Sequence, residues 1–238
     1  MAHFRQRQIL FYSSVTFLFL LVTVVLRNQT DQLDTETNLG VSDGQSPQSL
    51  EWERGGPTNY FWRADSQCSD YGTRFVVRHS LQARALVSYP GSGNTWIRYL
   101  VEAATGVFTG SVFTDKSIVA AGHYGEARDY NDGSTILQKS HHRAVYTPHY
   151  DELDLAWRKK HIKQFGGRGV LVIRNPYKAI LSYWNFKMTR SHTETVPAES
   201  LQTEEFKEFV RVGAARWLEL IQDWLLYSTD CFVLMYEV

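Results

Sequence analysis

Residues Tyr89 to Trp96 read YPGSGNTW, two glycines and three small polar side chains ahead of an apolar run. Gly91 and Gly93 allow the backbone to fold closely around an oxyanion, while Ser92, Asn94 and Thr95 add hydroxyl and amide groups to the main-chain N–H groups of a following helix. Such a loop holds a phosphate. An ordinary tight turn with Trp96 in the core would use the same residues. The glycines are too close together for the usual nucleoside-triphosphate loop and no Gly-Lys-Ser/Thr follows, which argues against a kinase. A second stretch, RNPYKAILSYW, puts Arg174 just before a helix and Ser182 two turns along it. A guanidinium grips phosphate through paired, charge-assisted hydrogen bonds; the plainer alternative is a local salt bridge at Arg174 with Ser182 facing solvent. Two anion-binding junctions in one chain suggest a nucleotide with phosphates at separate positions. A third stretch, LQKSHHR, supplies Lys139 as a positive charge and His141 or His142 as a proton acceptor, or as structural histidines. It shows no metal-ligand pattern: His149 follows distantly and no carboxylate stands at ligand spacing.

These residues need strand-to-helix junctions to position them. RALVSYP reads as a buried strand, and WIRYLVEAATG follows as a helix with Ile97, Leu100, Val101 and Ala104 on one face, closed by Gly106. STILQKS is a second strand. A third, GVLVIR, runs into a helix that Asn175 caps and Pro176 opens. A long helix over about 203–226 precedes a last strand, CFVLMYE. Near-continuously apolar strands separated by helices predict an α/β fold, a parallel sheet flanked by helices. In such a sheet the loops leaving the strands share one edge with the helix N-termini.

The 238 residues carry 25 Lys+Arg against 25 Asp+Glu, and this neutral balance, with no nucleic-acid motif, excludes a generic polyanion binder. Arg5 and Arg7 precede an uncharged stretch from Ile9 to Leu26, long enough to span a membrane. The reading is a cytosolic tail over 1–8, an uncleaved anchor over 9–26, a polar stem over 27–70 and a luminal domain over 71–238. Cys68 and Cys231 permit one bridge. Asn28 heads a glycosylation pattern almost on the membrane.

YPGSGNTW and RNPYKAILSYW resemble the two cofactor motifs of sulfotransferases, the loop around the 5′-phosphosulfate and the Arg…Ser pair around the 3′-phosphate of 3′-phosphoadenylyl sulfate (PAPS). The likeness covers most of Arg84 to Glu237. More narrowly, PGSGNTW followed by EAATGVFTGS resembles the WSCD family, sulfotransferase-like proteins whose vertebrate members are regarded as sialate O-sulfotransferases. The resemblance implies a P-loop-like sulfotransferase fold and PAPS as co-substrate without a metal. Gly91, Ser92, Gly93, Asn94, Thr95, Arg174 and Ser182 would hold the nucleotide, with Trp96 beside the adenine. LQKSHHR is similar to the Lys-Thr-His segment of cytosolic sulfotransferases, which implies His141 as base and Lys139 near the sulfuryl or phosphate oxygens. It further implies a glycan or glycoprotein acceptor, sialylated in the narrower family, and a single-pass type II protein of the Golgi membrane.

Three departures stand beside this. Gly91 replaces a lysine that many sulfotransferases carry, the cysteine-rich WSC modules are absent, and the chain stops at Val238 where the family continues with helices and a basic segment. The expectation is a C-terminally shortened form. An inactive, membrane-anchored interaction protein that keeps the fold is the second reading.

Overall fold

The computed structural model describes residues 50–141 and 155–237. The expected tail, anchor and most of the stem, with Asn28 and His142, lie outside the described residues. Among the described residues no helix is long and apolar enough to cross a membrane.

Among the described residues, five strands and five helices follow in the order β1 (Ala85–Ser88), α1 (Asn94–Thr105), β2 (Gly110–Ser111), α2 (Lys116–Ala120), β3 (Gln138–Ser140), α3 (Leu155–Lys163), β4 (Arg168–Ile173), α4 (Pro176–Thr189), α5 (Glu204–Tyr227) and β5 (Asp230–Met235). Short 3-10 turns at Tyr124–Ala127 and Ala198–Gln202 interrupt the connections. The strands form one sheet in the order β2-β3-β1-β4-β5, and every neighbouring pair is parallel. Every strand therefore ends at the same edge, as the alternation of apolar strands and helices predicts.

The local reasons are visible in the sequence. All four residues of β1 are buried, which suits a central strand covered on both faces. Asn175 caps α4 by accepting from Tyr177 N and Lys178 N, with Pro176 at the first position. Gly106 ends α1 in the left-handed conformation, and Thr203 caps α5 by accepting from Phe206 N. Alternate residues Ala85, Val87 and Leu171 pack on one sheet face with Ile162 of α3, Ala179 and Ile180 of α4, and Leu220 and Trp224 of α5. Trp224 is fully buried, and truncating a side chain of that size to alanine costs roughly 3–5 kcal/mol.

Two helical and strand expectations shift. The buried stripe of α1 is Asn94, Ile97, Arg98, Val101 and Glu102, whereas Leu100 is half-buried and Ala104 exposed. Charged residues take the inward positions because each finds a buried polar partner, described below. STILQKS is extended into the sheet only over Gln138–Ser140. Ahead of it, Gln138 turns its side chain to accept from Arg84 N at 2.7 Å and to donate to Thr135 O at 3.0 Å.

Isolated antiparallel bridges join Trp52 to Val76 and Asn59 to Thr73, and Arg74 lies over the Trp52 ring at 4.4 Å. Residues 52–59, inside the stretch read as stem, are thus paired with the segment leading into β1. No disulfide joins Cys68, which is exposed, to Cys231.

Candidate functional site

The loop between β1 and α1 has the backbone its glycines allow. Gly91 and Gly93 adopt φ of 77° and 82°, in the left-handed region. No side chain caps the first turn of α1, so its N–H groups face the loop. Ser92 is buried, and its hydroxyl has no hydrogen-bond partner among the described residues. An orphaned buried hydroxyl beside a helix N-terminus without a side-chain cap fits an anionic ligand group.

The remaining loop residues divide. Asn94 turns its amide inward, donating to Leu86 O at 2.8 Å and Ser88 Oγ at 3.2 Å, so this side chain pins α1 to β1 instead of facing a ligand. Thr95 is half-buried. Trp96 is 55% exposed, which removes the core position that an ordinary turn would give it.

The second junction meets the first directly. Arg174, just past β4, donates from Nη1 to the Gly91 carbonyl at 2.6 Å. Helix α4 packs against the same glycine: a Cβ on Gly91 would lie 2.5 Å from Ala179 O and 3.0 Å from Ser182 Cβ. Gly91, Arg174 and Ser182 are therefore neighbours, and half-buried Ser182 faces the loop.

Sequence reasoning assigned no role to the residues that follow β5, yet they sit between these junctions. A Cβ on Gly93 would lie 2.1 Å from the Tyr236 ring, and the Arg174 guanidinium lies 5.1 Å from that ring's centroid. Glu237 accepts from Asn175 N at 2.7 Å and stands 3.5 Å from Arg174 Nε and 3.3 Å from Lys178 Nζ. The Asn175 N–H foremost, then the two cations, hold its carboxyl below the usual glutamate range. A carboxylate thus already rests at the N-terminus of α4 against Arg174. The available signal was position alone, since a residue following a parallel strand reaches the edge where the other loops gather.

The third junction closes the group. His141 Nδ1 lies 2.9 Å from Ser88 O, and a carbonyl only accepts, so the ring proton is on Nδ1 and Nε2 carries the lone pair. Its ring stacks on Phe113 with centroids 5.4 Å apart. Burial, then the nearby Lys139 charge, pull His141 down to about 3. The His141 side chain is half-buried. Lys139, two residues earlier, is buried, and desolvation lowers its pKa while Glu126 opposes that fall.

Behind Lys139 lies a polar cluster that sequence reasoning missed, because the apolar stripe gave Arg98 and Glu102 no role. Arg98 is fully buried, paired with Glu126 through Nη1, and donates from Nε to Thr109 Oγ1 at 2.7 Å. Glu102 accepts from Thr109 N at 3.0 Å and from His123 Nδ1 at 2.7 Å. Among the described residues, no three His, Cys, Asp or Glu side chains are grouped to hold a metal ion. A cavity of about 660 Å³, lined by Glu53, Phe75, Arg78, Tyr124 and Arg128 among others, is built from none of the three junctions.

No family model matches the chain, and no solved structure does. Among curated proteins, it is 38% identical over 101 residues to a WSCD family member of Aedes aegypti, covering 42% of this chain and 26% of that protein. It is 36% identical over 113 residues to a WSCD family member of Drosophila pseudoobscura pseudoobscura, covering 46% and 30%. A WSCD family member of Drosophila melanogaster matches at 36% over 101 residues, covering 42% and 26%. The matched segment thus spans less than a third of each relative's own length, and over that segment the chain is similar to WSCD family members.

Proposed function

We propose that this chain binds PAPS at the shared edge of β1, β3 and β4 and transfers its sulfuryl group to a hydroxyl of a glycan acceptor, sialylated in the narrower reading. The membrane-anchored, luminal setting rests on the sequence of residues 1–26, and the Golgi membrane on the family resemblance. The observation that carries the proposal is the 2.6 Å hydrogen bond from Arg174 to Gly91 O, which brings the two strand-to-helix junctions to one place. A nucleotide phosphorylated at two positions suits such a pair.

When bound, PAPS supplies the activated sulfuryl group and a bisphosphate leaving group. The chain's own residues would do the rest. Ser92 Oγ and the first-turn N–H groups of α1 bind phosphate oxygens at one end, and Arg174 with Ser182 bind at the other. His141 Nε2, bearing a lone pair, accepts the acceptor hydroxyl's proton, and the Nδ1–H bond to Ser88 O keeps the ring in that tautomer. Lys139 places positive charge where anionic oxygens gather. A bound anion also offsets the Lys139 charge that weakens His141 as a base.

A second reading has a specific observation behind it. With His141 held near 3 and Gly91 standing where many sulfotransferases carry lysine, the fold could bind nucleotide without turnover. One pair of measurements separates the two. The full chain should gain thermal stability from 3′,5′-ADP and not from ATP, and Arg174→Ala should lose that gain. Turnover of labelled PAPS on sialylated glycans, lost in His141→Ala, then supports transfer; stabilisation without turnover supports the binding protein, and no stabilisation removes both.

A further inference from the structure

The α1 face turned to the core carries charge where a helix of this kind normally carries only apolar groups. Four charged side chains are buried together there: Arg98 and Lys139, both cationic, and Glu102 and Glu126, both anionic. Their charges balance, and in a poorly polarisable interior such balance is what lets each remain ionised. Glu102 is spent on Thr109 and His123. Glu126 is divided: Oε2 binds Arg98, whereas Oε1 has no hydrogen-bond partner among the described residues and lies 4.0 Å from Lys139 Nζ.

That separation is informative. At 4.0 Å the attraction is strong in a buried setting, yet too long to consume one of the ammonium's N–H donors. We propose that Glu126 is the positioning residue for Lys139: clamped by Arg98, its unbonded Oε1 is the buried counter-charge that keeps the ammonium ionised beside His141 with its donors turned to a bound anion. The inference rests on the functional reading above and extends it to a residue that contacts no ligand.

The surroundings agree. Burial pushes Lys139 toward its neutral form, Glu126 is the foremost group opposing that, and Arg98 and the more distant Asp115 act in opposite senses. From the remaining elements Lys139 faces the Phe113 ring, 6.0 Å to its centroid, and its charge acts on His141 just past the end of its strand. Neither the ring nor neutral His141 can replace a carboxylate.

The test uses the full chain with lysine labelled at Cε, the Lys139 resonance being assigned by its loss in Lys139→Arg. In Glu126→Gln the Lys139 titration midpoint should fall by at least about one pH unit, a tenfold loss of proton affinity. Binding of PAPS, measured by calorimetry, should lose its affinity on the alkaline side at correspondingly lower pH. Glu126→Asp keeps a carboxylate for Arg98 but withdraws it from Lys139, so it should give a smaller shift in the same direction; it decides the matter if Glu126→Gln does not fold. An unchanged Lys139 midpoint in the folded variants overturns the proposal. If the midpoint shifts while the wild-type chain binds neither PAPS nor 3′,5′-ADP, the Glu126–Lys139 coupling stands and the nucleotide reading falls.

Discussion

Arg174 and Glu237 form the hinge point of the candidate site: Nε of the first stands 3.5 Å from Oε1 of the second, while Nη1 of the same guanidinium donates to Gly91 O. One side chain therefore ties the end of β4 to the loop after β1 and to the residue following β5. Arg174→Lys keeps a charge but loses the planar fork that makes both contacts. Its bisphosphate affinity should fall about 10- to 100-fold, in the range of a hydrogen bond to a charged group, as calorimetry would show. An unchanged affinity would mean that Arg174 serves the loop alone.

Glu237→Gln removes the carboxylate resting against Arg174 and Lys178. Under the proposed function an anionic ligand would compete with it there, so 3′,5′-ADP should bind about two- to fivefold tighter, the scale of an exposed ion pair. The sign for stability is opposite. A depressed carboxylate adds stability above its unfolded pKa and loses it as pH falls through its folded value. The wild type should therefore melt above Glu237→Gln at pH 7, with the gap closing below the ordinary glutamate range. Equal melting temperatures at pH 7 would contradict the contact.

His141 gives a different pH signature. Its folded value of about 3 lies below the ordinary histidine value, so the unfolded chain takes up the extra proton first as pH falls. Stability contributed in this way is full above about 6.5 and drains away between there and about 3. His141→Gln should flatten that part of the melting-temperature profile. If turnover is found, His141→Ala should lower kcat by about 10²- to 10⁴-fold with bisphosphate binding retained.

Gly93→Ala tests the close approach of Tyr236. The added Cβ meets the ring at 2.1 Å and the residue keeps φ at +82°, so destabilisation of about 1–3 kcal/mol is expected from chemical denaturation. Tyr236→Ala in the same chain should recover the steric part and leave the backbone part. Full additivity of the two changes would mean that ring and loop do not touch.

Much of the architecture was legible because it depends on local rules. The apolar runs at 85–88 and 169–173, the Asn175-Pro176 start and the Gly106 stop all carry their reasons within a few residues. The parallel sheet follows from their alternation. Glycines at 91 and 93 marked a loop whose backbone can fold closely, and in the structure both take left-handed φ.

Other features depended on partners distant in sequence. Asn94 looked like a ligand donor, but the carbonyl of Leu86 and the hydroxyl of Ser88 claim its amide. Arg98 and Glu102 drew no reading from the sequence, because periodicity counts apolar residues and has no measure of a buried counter-charge at Glu126 or His123. Tyr236 and Glu237 carry no motif. Side-chain types and spacings thus determined on their own that glycine-bearing and arginine-bearing junctions stand at strand ends. Only the strand order, by setting β1 between β3 and β4 with β5 beyond, decided that those junctions meet, because hydrogen-bond pairing between distant segments is a global choice that no single window of sequence contains.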